Sequence, residues 1–293
     1  MKVKKDNYKN YYKLESIIGK GHNTKVYKGK NIKENKERAI KVIELGENEE
    51  KYIKDEIDNM KKCSENIINS VKIYDCYHYK TNLKNEFAII MELCDDNLQK
   101  ILEQRGQGFT ELGIQTIMNQ LNKTFRKMYD NNIIHRDIKL ANIVTKKDEN
   151  SGLGFISKLT DYGISKQLTD SQEHTNEVGT NYTMAPEVIV GNEYDHKCDL
   201  WSIGIIIYQL YFNDYPYKGA TQTAIYNKIK NCGQTILKKT TDDLLNDLIN
   251  KLLKMDPNER IDYPEYFDHP FFKDHSYELN VENLRITLKG IIK

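Results

Sequence analysis

The chain has little of what several function classes require. Its 293 residues carry 44 Lys and Arg against 43 Asp and Glu, a net charge of +1. No strong field therefore draws nucleic acid or an acidic membrane surface. No apolar run reaches the length of a membrane span. The longest, Leu200 to Phe212, is interrupted by Ser202, Gly204 and Gln209 and reads as a buried core helix. No apolar segment follows the opening Met-Lys-Val-Lys-Lys-Asp, so no secretory signal is visible. Five cysteines (Cys63, Cys76, Cys94, Cys198, Cys232) include no C-x-x-C pair. An odd, scattered set fits a reducing compartment and argues against a zinc site. Internal repeats and long linkers are missing too. What is present is 39% hydrophobic and 30% charged, enough for one bilobal domain or two small ones.

The chemistry concentrates in His135-Arg136-Asp137-Ile138-Lys139-Leu140-Ala141-Asn142, which sets a carboxylate, an ammonium and a carboxamide within six residues. That set suits transfer of a charged group onto a hydroxyl. Asp137 can accept or orient the hydroxyl proton, Lys139 can offset negative charge, and Asn142 can bind a hard cation through its side-chain oxygen. Taken alone, the tripeptide His-Arg-Asp fits a polar turn equally well.

Upstream, Tyr12 to Gly19 reads as a strand, followed by Gly19-Lys20-Gly21-His22-Asn23-Thr24-Lys25-Val26. Two glycines spaced by one residue let backbone amides approach phosphate oxygens, although a plain hairpin reads the same way. Lys41 stands in the apolar strand Arg38 to Val42 and needs a partner there. A helix from about Glu49 to Lys62 puts Ile53, Ile57 and Met60 on one face. Glu56 lies beside Ile57 on that helix, and Glu49 and Glu50 lie at its start. Val71 to His78 and Phe87 to Met91 read as two further strands. Thr110 caps a long helix with an apolar stripe at Ile114, Ile117, Met118, Leu121, Phe125 and Met128. Ile143-Val144 begins a hairpin, with a polar turn from Lys146 to Gly154. The strand ending at Thr160 leads to Asp161-Tyr162-Gly163.

The spacing H-R-D-x-K-x-x-N resembles the catalytic loop of eukaryotic-type protein kinases, and Lys139 resembles the Ser/Thr-directed branch. The glycine stretch resembles that family's Gly-rich loop, with Thr24 in place of the third glycine and Asn23 at the tip. Asp161-Tyr162-Gly163 resembles the D-F-G motif, with Tyr for Phe. A large buried ring then carries a hydroxyl that must find a partner. Ala185-Pro186-Glu187 resembles the A-P-E anchor.

The resemblance covers about residues 12–273. It implies an α+β, two-lobed protein kinase domain. A small antiparallel-sheet N-lobe with one helix would span 12–94, and a larger, mainly helical C-lobe 95–273. Residues 1–11 are a lead-in, and 274–293 an extension whose Leu284, Ile286 and Leu288 suggest docking. The implied function is a protein serine/threonine kinase using ATP and Mg2+, with ATP in the cleft between lobes. Lys41, fixed by Glu56, would hold phosphates, and Asn142 and Asp161 the metal. Asp137 would orient the hydroxyl, and Lys139 would stabilise the γ-phosphoryl. Ile18, Gly19, Lys20, Gly21, Val26, Ala39, Met91, Glu92, Cys94 and Val144 would complete the ATP site. Glu187 would pair with Arg260, and Asp199 would hold the catalytic-loop backbone.

The implied partner is a Ser/Thr-containing protein substrate. Thr175 is the expected activation-segment phosphosite, with Thr169 and Ser171 behind it and Thr180 nearby. An upstream kinase or autophosphorylation in trans would supply a phosphate to pair with Arg136; Glu177 is the alternative anion. The positions that carry acids in arginine-directed relatives are Asn97, Ala141 and Gln209 here, none ionisable, with Asp95 and Asp96 close to the first. The expected location is cytoplasmic, without excluding the nucleus. Two rivals stand beside this reading: a pseudokinase scaffold that binds partners without transfer, and a kinase for a small molecule.

Overall fold

In the computed structural model the described part of the first ninety residues forms one sheet and a helix. The structure describes residues 3–21, 23–46, 50–162 and 181–273, apart from the side chains of 50–52, 54–56, 59 and 236. The chain forms two compact units, one of residues 1–95 with 160–175, the other of 96–159 with 176–293.

The first unit is a five-stranded antiparallel sheet. Its strands are β1 (Tyr12–Lys20), β2 (Thr24–Asn31), β3 (Glu37–Glu44), β4 (Ile73–Lys80) and β5 (Asn85–Met91), in the order β1-β2-β3-β5-β4. Gly29 permits the close approach of β1 and β2, since a Cβ there would lie 2.5 Å from the Lys13 carbonyl oxygen. The helix α1 (Glu50–Ser64) buries Ile53, Ile57 and Met60, as the spacing predicts, and adds Cys63. β4 starts at Ile73 rather than Val71: Ile73 pairs with Met91, the last residue of β5, and a register shift follows between Ile73 and Asp75.

The described part of the lead-in, from Val3, joins the sheet. The Cys76 carbonyl accepts from the Lys4 amide at 2.9 Å, and the Lys4 carbonyl accepts from the His78 amide at 2.9 Å, so this segment adds to the edge strand β4. Tyr8 and Tyr12 are buried with Ile40, Val42, Tyr77, Ala88 and Ile90 on one face of the sheet. The Tyr8 hydroxyl donates to Glu86 at 3.2 Å, which gives that buried carboxylate a partner.

The second unit opens with a short strand, β6 (Asp96–Asn97), which leads straight into α2 (Leu98–Arg105). Asn97 serves both, pairing with Val144 and capping α2 by accepting from the Lys100 amide at 3.0 Å. Next comes α3 (Glu111–Asp130), capped by Thr110, whose Oγ1 accepts from the Gly113 amide at 3.3 Å. Such a cap contributes about 1 kcal/mol. All six residues of its predicted stripe are buried, each stabilising by roughly 1.5–3 kcal/mol. The hairpin of β7 (Ile143–Lys147) and β8 (Phe155–Leu159) completes a three-stranded sheet with β6. β7 runs past Lys146 because the Lys147–Phe155 pair extends the ladder, with the Lys147 side chain exposed.

Beyond the described gap come α4 (Pro186–Ile189), α5 (Lys197–Phe212), α6 (Gln222–Cys232), α7 (Asp243–Leu252), α8 (Tyr263–Phe267) and α9 (Pro270–Lys273). α5 is buried on every side from Cys198 to Leu210, as expected of a helix apolar all round in a core.

Candidate active site

Strand register gathers the predicted nucleotide-binding residues of the first unit. Gly19 pairs with Val26, Val26 with Lys41, Lys41 with Ile89, and Ala39 with Met91. Side chains directly opposite in a ladder share a face, as do residues two apart on one strand. Gly19, Val26, Ala39, Lys41 and Met91 thus lie on one face of the sheet. Tyr27, Ile40 and Val42 alternate onto the other face with the Tyr8 cluster. Neither Gly19 nor Gly21 has a left-handed φ. The nearest atom to a Cβ at either would be 3.5 Å away or more, unlike Gly29. The fold's own packing does not require glycine at these two positions. A Cβ at Gly19 would meet Val26, and one at Gly21 would meet Thr24, at ordinary contact distance, and the Gly21 amide donates to the Thr24 carbonyl at 2.8 Å. Ile18 and Lys20 flank Gly19 on β1, with Ile18 exposed. Glu92 and Cys94 follow β5, where the Glu92 amide donates to the Lys72 carbonyl at 2.8 Å.

Lys41 is 2% exposed. A buried ammonium demands an anion, and its Nζ lies 2.8 Å from Asp161 Oδ1. This pair joins two residues that the sequence singled out separately. Glu56 lies on α1, but its side chain falls outside the described residues, as do Thr169, Ser171, Thr175, Glu177 and Thr180. Asp161 takes a left-handed φ of 56°, at a cost of about 1 kcal/mol or more for a residue with a Cβ. Tyr162 beside it is buried and shares a 2.5 Å hydrogen bond with Ser70 Oγ. Ser70 escaped the sequence reading; the only signal was that a tyrosine in this place calls for a partner.

In the second unit the loop after α3 is held from below. Asp199, 1% exposed at the start of α5, accepts from the His135 amide at 2.7 Å and the Arg136 amide at 2.9 Å. These bonds stabilise Arg136 at a left-handed φ of 67°, a strained conformation of the kind that clusters at functional sites. Asp137 then receives two cationic or amide donors on Oδ2, Lys139 Nζ at 2.8 Å and Asn142 Nδ2 at 2.9 Å. Asn142 Nδ2 also donates to the Asp137 carbonyl at 2.8 Å. With its nitrogen so engaged, Asn142 turns its oxygen the other way, as a cation ligand would. Val144 follows on β7, half-buried.

Further along, Arg260 and Glu187 form a bidentate pair at 2.7 and 3.0 Å. The remaining guanidinium donors reach the Lys254 and Lys197 carbonyls. All five N–H groups are therefore satisfied, which a buried guanidinium requires.

Comparison with known proteins agrees with this geometry. The family described as the protein kinase domain matches residues 12–272. The chain is 35% identical over 264 residues to serine/threonine-protein kinase pakG of Dictyostelium discoideum, covering 88% of this chain and 21% of pakG. It is 28% identical to serine/threonine-protein kinase 33 of Mus musculus, covering 88% of this chain and 54% of that protein. It is also 28% identical to serine/threonine-protein kinase ppk11 of Schizosaccharomyces pombe, covering 94% of this chain and 86% of ppk11. The chain thus spans less than two thirds of the length of the first of these relatives. A match over residues 12–272, with a strained, carboxylate-held His-Arg-Asp loop and an Asp161 bound to the buried Lys41, places the chain in the protein kinase domain family.

Proposed function

We propose that the chain is an ATP- and Mg2+-dependent protein serine/threonine kinase. The observation that carries this is Asp137, whose carboxylate is oriented on one oxygen by both Lys139 and Asn142. Phosphoryl transfer asks a protein mainly for positioning and charge neutralisation. ATP supplies the γ-phosphoryl and Mg2+ offsets the charge on its oxygens when both are bound.

The chain's own groups do the rest. The amides beside Gly19 and Gly21 bind phosphate, with Ile18, Lys20, Val26, Ala39, Met91, Glu92, Cys94 and Val144 completing the nucleotide site. Lys41 pairs with phosphate oxygens, and Glu56 is its second anion. Asp161 and Asn142 offer oxygen ligands to the metal. Asp137 accepts the proton of the attacking hydroxyl, and Lys139 steadies the transferring group. The substrate is a protein Ser or Thr. Phosphate on Thr175, from an upstream kinase or from autophosphorylation in trans, pairs with Arg136. The location is cytoplasmic, a reading supported by five free thiols, three of them buried.

The test is transfer from labelled ATP to a Ser/Thr peptide array, with Asp137→Asn as control. Mg2+-dependent labelling of Ser and Thr, lost in Asp137→Asn, is the expected result. Labelling that survives the substitution would refute the assignment of Asp137.

A further inference from the structure

Asp161 is held at two ends. Its carboxylate meets Lys41 Nζ at 2.8 Å. Its backbone runs directly into Tyr162, whose ring is buried and whose hydroxyl lies 2.5 Å from Ser70 Oγ. Ser70 is itself 1% exposed, in the loop between α1 and β4. A buried hydroxyl that leaves a directional partner forfeits that bond without regaining water. Rotating or withdrawing the Tyr162 ring would therefore break the bond to Ser70. A phenylalanine would fill the same space with no such tether. Because Asp161 adopts a left-handed φ of 56°, its carboxylate direction depends on what fixes the next residue. The tether supplies that fixed point, against a conformation the aspartate would otherwise relax from.

We propose that Ser70 is a positioning residue for the metal-binding carboxylate of Asp161, acting through the hydroxyl of Tyr162. This rests on the reading of Asp161 as a metal ligand given above. Ser70 touches neither nucleotide nor metal; it sets the geometry in which Asp161 meets them.

The test measures ADP binding to the full chain by calorimetry, in Mg2+ and in chelator, alongside thermal unfolding. In the parent protein Mg2+ should tighten ADP binding. Ser70→Ala and Tyr162→Phe should each reduce that tightening by about five- to tenfold, the scale of one lost hydrogen bond. ADP affinity in chelator should stay within about twofold, because the link concerns the metal. The double variant should lose no more than either single one, since both cut the same link. If Ser70→Ala fails to fold, Tyr162→Phe decides alone, as it preserves the packed ring. Single variants that unfold at lower temperature but keep the full Mg2+ effect would overturn the proposal, as would losses that simply add. A parent protein in which Mg2+ has no effect on ADP would overturn the reading of Asp161 itself, and the role of Ser70 with it.

Discussion

Lys41 shows how one residue's surroundings decide its role. Its ammonium sits 2% exposed in an apolar strand, with Asp161 as its described counter-ion. The Asp161 side chain is 35% exposed, so removing the lysine leaves a carboxylate that water can still reach. Lys41→Met keeps the length and apolar stem of the side chain and removes the charge. We expect phosphoryl transfer to fall by at least about a hundredfold, the scale of losing one preorganised charge. The urea midpoint should change little, and the comparison of both measurements checks it. A variant that transfers normally would remove Lys41 from the site.

At the scale of elements, one buried ion pair ties α4 to the segment before α8. Glu187 at the start of α4 and Arg260 after α7 are joined by two hydrogen bonds, with side-chain exposures of 6% and 0%. Lys197, at the start of α5, donates to the Pro257 and Arg260 carbonyls at 2.8 and 3.0 Å, so three elements converge there. Breaking one partner of a buried pair leaves the other charge uncompensated. Glu187→Gln should therefore destabilise the protein by about 3–5 kcal/mol, read from urea unfolding. A loss below about 1 kcal/mol would mean that water or a rearranged carbonyl replaces the carboxylate.

For the molecule as a whole, two measurable behaviours follow. The first is acid sensitivity at His269, at the start of α9. Burial lowers its pKa, and the Lys251 charge adds to this, while Asp247 opposes it. The Phe271 amide donates to Nδ1 at 3.3 Å, so the neutral ring carries its proton on Nε2 and donates to Asp247 at 3.0 Å. Protonating Nδ1 would set two hydrogens against each other. Because the folded pKa lies below the ordinary value of 6.5, the unfolded chain takes up the proton first. Stability from this group is complete above about pH 6.5 and is lost as pH falls through the lower folded value. Urea midpoints between about pH 7.5 and pH 5 should decline less steeply in His269→Gln than in the parent; identical slopes would remove His269 as the cause.

The second behaviour is substrate choice. The Asn97 oxygen is committed to its cap. Gln209 is 3% exposed and donates to Gln99 at 3.0 Å. Asp96 accepts from the Asn97 amide and lies 3.8 Å from Lys100. An arginine brought to these positions meets no free bidentate carboxylate. A positional peptide library should show no strong selection for arginine two or three residues before the target hydroxyl. Selection of about tenfold or more, roughly 1.4 kcal/mol, would show that Asp95, Asp96 or another acid reads it.

Local pattern by itself determined a good deal. The spacing of Ile53, Ile57 and Met60 specified the inward face of α1, and Thr110 with its stripe specified α3, because helical period and capping act within a few residues. The order of Gly19, Lys41, Asp137, Asn142 and Asp161 pointed to the protein kinase family, whose model matches residues 12–272. The tertiary structure decided which of these meet. Only the pairing of β1, β2, β3 and β5 sets Gly19, Val26, Lys41, Ala39 and Met91 on one face. The Lys41–Asp161 bond spans 120 residues, and the Ser70–Tyr162 bond 92. No periodicity encodes contacts of that range. They exist because a buried ammonium and a buried hydroxyl must each find a partner wherever packing of the whole unit brings one near.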